Sequence, residues 1–331
     1  MNQEKHYTLL NQATGHADPE IIAILQTLWD DQGTCVRYKL PYGNESFVAK
    51  VITPNRSHSH PKGWNSEISY LRKRKSYVVE RQFYTHYQPL LDESVMTASM
   101  LRMYQADEDT VLILEDLNAL GFDTVYKTLS HVEQGQAVMT WLARFHARFI
   151  HANAKHLWPH GTYWQWETRQ DEWHAMEASL LKQKASAIHG AIHNSVFKTL
   201  VHGDAKVANF CFAPDTNTVA AVDFQYVGAG IGVQDVAYFI GSAYSEEQQQ
   251  VLTPLLLNFY FCELSSALAG RLNENDIQLL VDEWRQKYAL VNADFLRFLK
   301  GWNPEHWKIN RLIETYTEQA LSSLKKGELD V

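Results

Sequence analysis

The sequence predicts an α+β chain of two lobes: a small β-rich lobe over residues 1–115 and a larger, mainly helical lobe over residues 116–331. Three observations predict it. A chain of 331 residues is longer than a single hydrophobic core usually serves. Residues 21–114 carry short β-like runs between turn formers, interrupted by one long helical stretch. Beyond Glu115 the apolar residues recur at helical spacing, except for a β island at 199–227. With 45% hydrophobic residues the chain can bury a large core, and its 16 glycines and 9 prolines are too few for a disordered one.

Each element has its own signal. In Asp18-Pro19-Glu20, Asp18 reads as an N-cap and Pro19 as the first helical residue, and Ile21, Ile22, Leu25 and Leu28 follow at helical spacing, so a short helix is expected there. Strands are expected at 26–29, 34–40 and 47–53, separated by the turn-forming Asp30-Asp31-Gln32-Gly33 and Pro41-Tyr42-Gly43-Asn44. Residues 56–65, rich in His, Ser, Pro and Gly, read as a loop. The stretch 66–91 reads as a long helix on Ile68, Leu71, Val78, Val79, Phe83 and Tyr87. Strands at 100–105 and 110–114 flank the turn Ala106-Asp107-Glu108-Asp109, completing a small antiparallel sheet of five strands. Residues 131–150 form a helix with Val138, Leu142, Phe145 and Phe149 on one face. In the β island, Leu200-Val201 leads into a polar loop, and 209–213 and 218–224 pair through Pro214-Asp215-Thr216-Asn217. From Asp235 onward the pattern is helical.

Composition excludes several function classes. A net charge of −8 argues against a nucleic-acid partner, because such proteins neutralise phosphates with a basic surplus. Cys35, Cys211 and Cys262 are too few and too scattered for a disulfide framework or a zinc pattern, which fits a reducing compartment. Residues 1–20 are polar with no signal-peptide core, and the longest apolar run, 254–262, falls short of the roughly 20 residues of a membrane span. A cytoplasmic protein without a membrane partner is expected; oligomeric state is not legible.

The chemistry concentrates in the β island. His202-Gly203-Asp204-Ala205-Lys206-Val207-Ala208-Asn209 follows an apolar strand, and Asp223 stands at the end of another in Val222-Asp223-Phe224-Gln225. Two carboxylates and an amide at strand ends suit phosphoryl transfer. One carboxylate accepts the proton of the attacking hydroxyl, and the other, with the amide oxygen, holds Mg²⁺ against nucleotide phosphates. Taken singly, Asp204 and Asn209 also read as turn formers and Asp223 as a strand-end cap.

These residues resemble the catalytic signature of the aminoglycoside phosphotransferase and choline kinase superfamily, and the resemblance spans roughly residues 20–245 in the family's order. It implies a protein-kinase-like two-lobed fold and an ATP- and Mg²⁺-dependent kinase acting on a small-molecule alcohol. Phe47-Val48-Ala49-Lys50-Val51 resembles the strand whose lysine holds the α- and β-phosphates, with Glu80 as that lysine's partner. Leu112-Ile113-Leu114-Glu115-Asp116-Leu117 resembles the strand and hinge that meet adenine through backbone groups near Glu115 and Leu117, and Leu142-Ala143-Arg144-Phe145-His146-Ala147 the helix beneath the catalytic loop. By the same resemblance, Asp204 is the catalytic base, Lys206 neutralises the transferring phosphate, Asn209 and Asp223 are metal ligands, and His202 and Asp235 support the loop; a plain helix N-cap is the alternative for Asp235. Gly33 is the single glycine of the nucleotide-covering turn, so phosphate binding must lean on Lys50 and Mg²⁺.

Departures narrow the class. Gly203 stands where protein kinases carry arginine, and no Ala-Pro-Glu follows Asp223, which favours a small-molecule acceptor. Gln225 and the Glu80…Phe83-Tyr84 pattern look more like the ecdysteroid-kinase-like branch than like enzymes acting on aminoglycosides. Trp164, Trp166 and Trp302 are candidates for an acceptor pocket, either for an apolar alcohol or for a quaternary amine. Gly228-Ala229-Gly230-Ile231-Gly232 fails as a dinucleotide fingerprint because Val233 stands where a glycine is needed. His189 and His193, four apart, lack an adjacent Glu and do not read as a metal site, and Arg72-Lys73-Arg74-Lys75 reads as a solvated helix face. A catalytically silent nucleotide-binding protein, or transfer onto a protein, are the alternative functions.

Overall fold

A computed structural model describes residues 2–15, 18–28, 32–54, 67–215 and 217–329. The expected loop at 56–65, Ser66, Trp29, part of the turn at 30–33 and Thr216 lie outside these residues. In chain order the elements are α1 (Asn2–Thr14), β1 (Glu20–Thr27), β2 (Gly33–Lys39), β3 (Ser46–Ile52), α2 (Glu67–His86), β4 (Met100–Ala106), β5 (Asp109–Glu115) and β6 (Thr124–Val125). There follow α3 (Val132–Arg148), α4 (Gln170–Ala175), α5 (Leu180–His193), β7 (Thr199–Val201), β8 (Phe210–Phe212), β9 (Val219–Ala221), β10 (Gly228–Gly230), α6 (Val233–Ala243), α7 (Glu246–Leu268), α8 (Glu274–Trp302) and α9 (Arg311–Leu329). The β-rich N-terminal and helical C-terminal regions expected of the α+β class are both present.

The N-terminal sheet is antiparallel in the order β1-β2-β3-β5-β4, which makes β3 its central strand. Side chains alternate across it. Ala49 and Val51 pack with Val36, Tyr38, Val111 and Ile113 beneath Leu9, Leu10 and Ala13 of α1, leaving Lys50 on the opposite face.

Two expectations are corrected here. Residues 20–27 form strand β1 rather than a helix, and the expected strand at 26–29 overlaps only its last two residues, Gln26 and Thr27. Ile21, Ile22 and Ile24 are β-branched and favour a strand, Pro19 precedes the strand and withholds no ladder donor, and register shifts at 21/23 and 24/26 disturb the alternation so that the apolar spacing imitates a helix. The first helix is α1 instead, whose buried apolar residues, among those described, are Leu9, Leu10 and Ala13 on a polar background. In α2 the buried face is Ser76, Tyr77, Val79, Glu80, Phe83 and Tyr84, while Ile68, Leu71 and Val78 are exposed; the helix ends at His86, ahead of Pro89.

In the helical region, β7 pairs with β10, and β6, β8 and β9 form a second small sheet beside them. β10 coincides with the glycine run that failed as a fingerprint, and Gly228 has no room for a side chain because a Cβ would strike the Trp158 carbonyl. α7 has the length and hydropathy of a membrane span, but it packs against α3 and buries Leu256, Tyr260, Leu264 and Leu268.

Gly33 opens β2 at φ +143°, and a Cβ there would run into the Val51 carbonyl. Its role in the structure is sheet packing, and it lines the hollow under α1 rather than the face that carries Lys50. Gly33→Ala is expected to cost about 1–3 kcal/mol of stability by denaturant unfolding; an unchanged midpoint contradicts this backbone reading.

Candidate active site

Lys50 is buried at the centre of the sheet and can be carried there only with compensating charge. α2 crosses that face and supplies Glu80, itself 1% exposed, whose carboxylate lies 2.8 Å from Nζ. Asp223 reaches the same ammonium from the C-terminal lobe, its Oδ1 accepting at 3.2 Å. Burial alone would lower the Lys50 pKa, but the two carboxylates outweigh it and hold the group well above the ordinary lysine range. Burial likewise acts to raise Asp223, yet Lys50, with Lys206 and Lys73 behind it, pulls its pKa down to about 2.

Backbone geometry aims Asp223. It sits at φ +68°, in the left-handed region, where aspartate is among the few tolerated residues. This turn sends the next residue, Phe224, into the core, where its ring stacks on Phe83 at 4.0 Å between centroids. Phe83 lies one helical turn beyond Glu80, so one aromatic contact registers Asp223 against the Lys50–Glu80 pair.

The polar loop after β7 is clamped from below. Asp235, fully buried in the first turn of α6, accepts from His202 N at 2.6 Å and Gly203 N at 2.9 Å, and His146 Nε2 lies 3.1 Å away. Gly232, not Asp235, is the N-cap of α6, so the loop-holding role implied by resemblance matches this geometry better than capping does. His202 donates Nε2–H to the Val222 carbonyl at 3.0 Å and accepts the Asp204 N–H on Nδ1, tying the loop to the strand end that carries Asp223. Gly203, at φ +80°, has no space for a Cβ against the Tyr226 carbonyl.

Asp204 emerges from this clamp with its Oδ2 bonded to Asn209 Nδ2 at 3.1 Å and to Lys206 Nζ at 3.2 Å. Burial raises its pKa, and Lys206 only partly opposes the shift. Because Asn209 donates through Nδ2, its Oδ1 is left without a hydrogen bond among the described residues, as is Asp223 Oδ2. Two hard oxygens spared in this way are donors of the type that suits Mg²⁺.

A cavity of about 330 Å³ opens beside Asp204 and Lys206. Of the three tryptophans expected there, Trp302 lines it. Trp164 does not, being 1% exposed with its ring against Tyr238 and Phe295, and Trp166 packs on Trp173. The basic run is not a uniform solvated face either. Arg72 and Lys73 line the cavity, Arg74 pairs with Glu108, and Lys75 lies over the Trp158 ring. At the hinge, Glu115 receives the Ser99 N–H, and the Leu117 carbonyl is taken up by Phe122 N, whereas the Leu117 N–H has no partner among the described residues.

Sequence reasoning missed three contributors. Asp116 joins β2, β3 and the hinge by accepting from Arg37 and Ser46. Gln225 ties the Asp223 turn to α2 through Lys73 and Ser76. Arg169, buried beside Glu172, lines the cavity. Gln225, adjacent to the motif, and Asp116, inside the Leu112–Leu117 run, carried a sequence signal; Arg169 carried none.

The sequence profile of the ecdysteroid kinase-like family matches residues 59–158 and 160–273, and the chain belongs to that family. Membership supports a phosphotransferase. Among solved structures, the chain is similar to a microcompartment-associated aminopropanol kinase, with 14% identity, 95% of each chain covered and a TM-score of 0.49. It is similar also to an aminoglycoside-3'-phosphotransferase of type VIII, with 12% identity, 86% of this chain and 99% of that chain covered and a TM-score of 0.47. A Plasmodium vivax ethanolamine kinase shows 12% identity, covering 92% and 81%, also with a TM-score of 0.47. No protein of curated function matches.

Asp235→Ala strands two buried amides and is expected to cost about 2–5 kcal/mol of stability. Thermal melting checks it; a variant as stable as the parent would show that the loop holds without the clamp.

Proposed function

We propose that this chain is an ATP-dependent kinase that transfers the γ-phosphate to a hydroxyl of a small molecule. The observation that carries the reading is the convergence, at one lobe junction, of the Lys50–Glu80–Asp223 cluster with Asp204 and Asn209 beside an open cavity. Lys50 orients the α- and β-phosphates, Glu80 fixes Lys50, and the backbone at Glu115–Leu117 meets adenine, with the unpartnered Leu117 N–H as donor. Asn209 and Asp223 hold Mg²⁺, which when bound neutralises charge on the phosphates. Asp204 takes the proton of the acceptor hydroxyl as its oxygen bonds to phosphorus and ADP leaves, and Lys206 offsets the charge between them. Positioning and charge neutralisation supply the rate.

The cavity chemistry selects among acceptors. Lys206 faces Asp204 and Arg169 faces Glu172, but among the described residues Arg72 hydrogen-bonds only the Thr168 carbonyl and the Ser69 hydroxyl, and Lys73 only the Gln225 amide oxygen. Two cations whose hydrogen-bond partners are neutral repel a quaternary ammonium and attract an acid, while Tyr163, Phe298 and Trp302 offer an apolar wall. We therefore favour an alcohol with a ring-like apolar body and an acidic group over a choline-like one.

Asp204→Ala is expected to abolish alcohol-dependent ADP release in a coupled assay while nucleotide binding persists; turnover at the parental rate would sink the assignment. Nucleotide binding without turnover on any alcohol, in the parent, is what the catalytically silent reading predicts. For the base itself, the raised Asp204 pKa predicts that kcat/KM falls on the acid side with an apparent pKa above the ordinary carboxylate value of about 3.9, since Asp204 must be ionised to accept the proton. A profile flat down to that value contradicts Asp204 as base. Arg72→Ala should raise KM about tenfold or more for acidic alcohols and leave neutral ones unchanged, an effect of about 1.4 kcal/mol; equal effects on both would remove the acidic group from the account.

A further inference from the structure

Outside the kinase cleft, the fold gathers three histidines that the sequence leaves apart. His189 and His193 lie one turn apart on α5, and His160 comes from the segment between α3 and α4. One ring nitrogen from each lies within 4.8 Å of the other two. Glu167 closes the group, with Oε1 at 2.5 Å from His160 Nδ1 and 2.9 Å from His189 Nε2. The missing acidic residue that argued against a metal site is therefore supplied by another segment.

Hydrogen bonding sets the tautomers. A carboxylate accepts only N–H, so His160 and His189 present their remaining nitrogens as lone pairs when neutral. On His189 that nitrogen, Nδ1, is buried and has no partner among the described residues. An imidazole whose far N–H is held by a carboxylate is the arrangement that orients histidine on a metal. Four-coordinate zinc holds its nitrogens about 3.4 Å apart, closer than the 4.8 Å within which each of the three histidines here places one ring nitrogen.

We propose that His160, His189 and His193, oriented by Glu167, form a binding site for a zinc-class divalent ion, separate from the Asn209–Asp223 pair. Imidazole nitrogen selects zinc-like ions over Mg²⁺. The site's place in the fold gives it a role: the segment it would pin to α5 carries Tyr163 and Arg169, which line the cavity, and Thr168, whose carbonyl receives Arg72. A bound ion would brace that wall.

The test uses tag-free, full-length protein stripped with a chelator and held without Mg²⁺ or nucleotide. Calorimetric titration with Zn²⁺ is expected to give one equivalent bound, and Co²⁺ to give the strong visible absorption of a four-coordinate site. His193→Gln should weaken Zn²⁺ binding about 100-fold or more, and Glu167→Gln about 10–100-fold. Asp223→Asn should leave it unchanged. Circular dichroism checks each variant's fold, and His160→Gln, at a half-buried position, replaces His193→Gln if the latter unfolds. Zn²⁺ binding by the parent no tighter than by the histidine variant, loss of binding in Asp223→Asn, or only a weak six-coordinate Co²⁺ spectrum would each overturn the proposal.

Discussion

The structure turns on one buried ammonium. Lys50 sits on the central strand of the sheet, where a charge is tolerated only if countercharge is buried with it, and its two carboxylates come from different parts of the chain: Glu80 from α2 and Asp223 from the far lobe. Removing Lys50 leaves two carboxylates facing one another in low dielectric without a countercharge, a change that typically costs about 3–5 kcal/mol. A cluster of this kind is a poor way to gain stability and a good way to fix geometry. It sets the register of α2 on the sheet and of the Asp223 turn against both.

Everything else at the site serves to hold that geometry. Asp223 adopts a left-handed backbone so that Phe224 can stack on Phe83, which ties the metal-ligand candidate to the helix bearing Glu80. Asp235 fixes the opposite loop through two amide donors, and His202 bridges that loop to the Asp223 strand. The two carboxylates are thereby driven in opposite directions: burial lifts Asp204 and Lys50 depresses Asp223. That separation is what a proton acceptor and a permanently ionised metal ligand require.

Much of this was legible in the sequence because it is local. The eight-residue run from His202 to Asn209 and the Asp223-Phe224 pair are contiguous, and Lys50 interrupts an apolar strand. What was not legible depends on distance or irregularity. Register shifts in β1 made its isoleucines imitate a helix. Arg72 and Lys73 looked solvated because nothing in their own helix reveals that the Thr168 carbonyl and the Gln225 amide oxygen, 96 and 152 residues away, accept from them. Trp164 and Trp302 were indistinguishable by composition, and packing alone sends one into the core and the other to the cavity wall. His160 and Glu167 join His189 and His193 only through the fold.

The central claim is that Lys50, Asp223 and Asn209 together make a metal–nucleotide site. Calorimetric titration of ATP into the protein, with Mg²⁺ and then with chelator, in the parent and in Asp223→Asn, tests it most directly. The account predicts Mg²⁺-dependent binding in the parent and loss of that dependence in the variant. Equal affinity with and without Mg²⁺ in the parent, or unchanged Mg²⁺ dependence in Asp223→Asn, would contradict it.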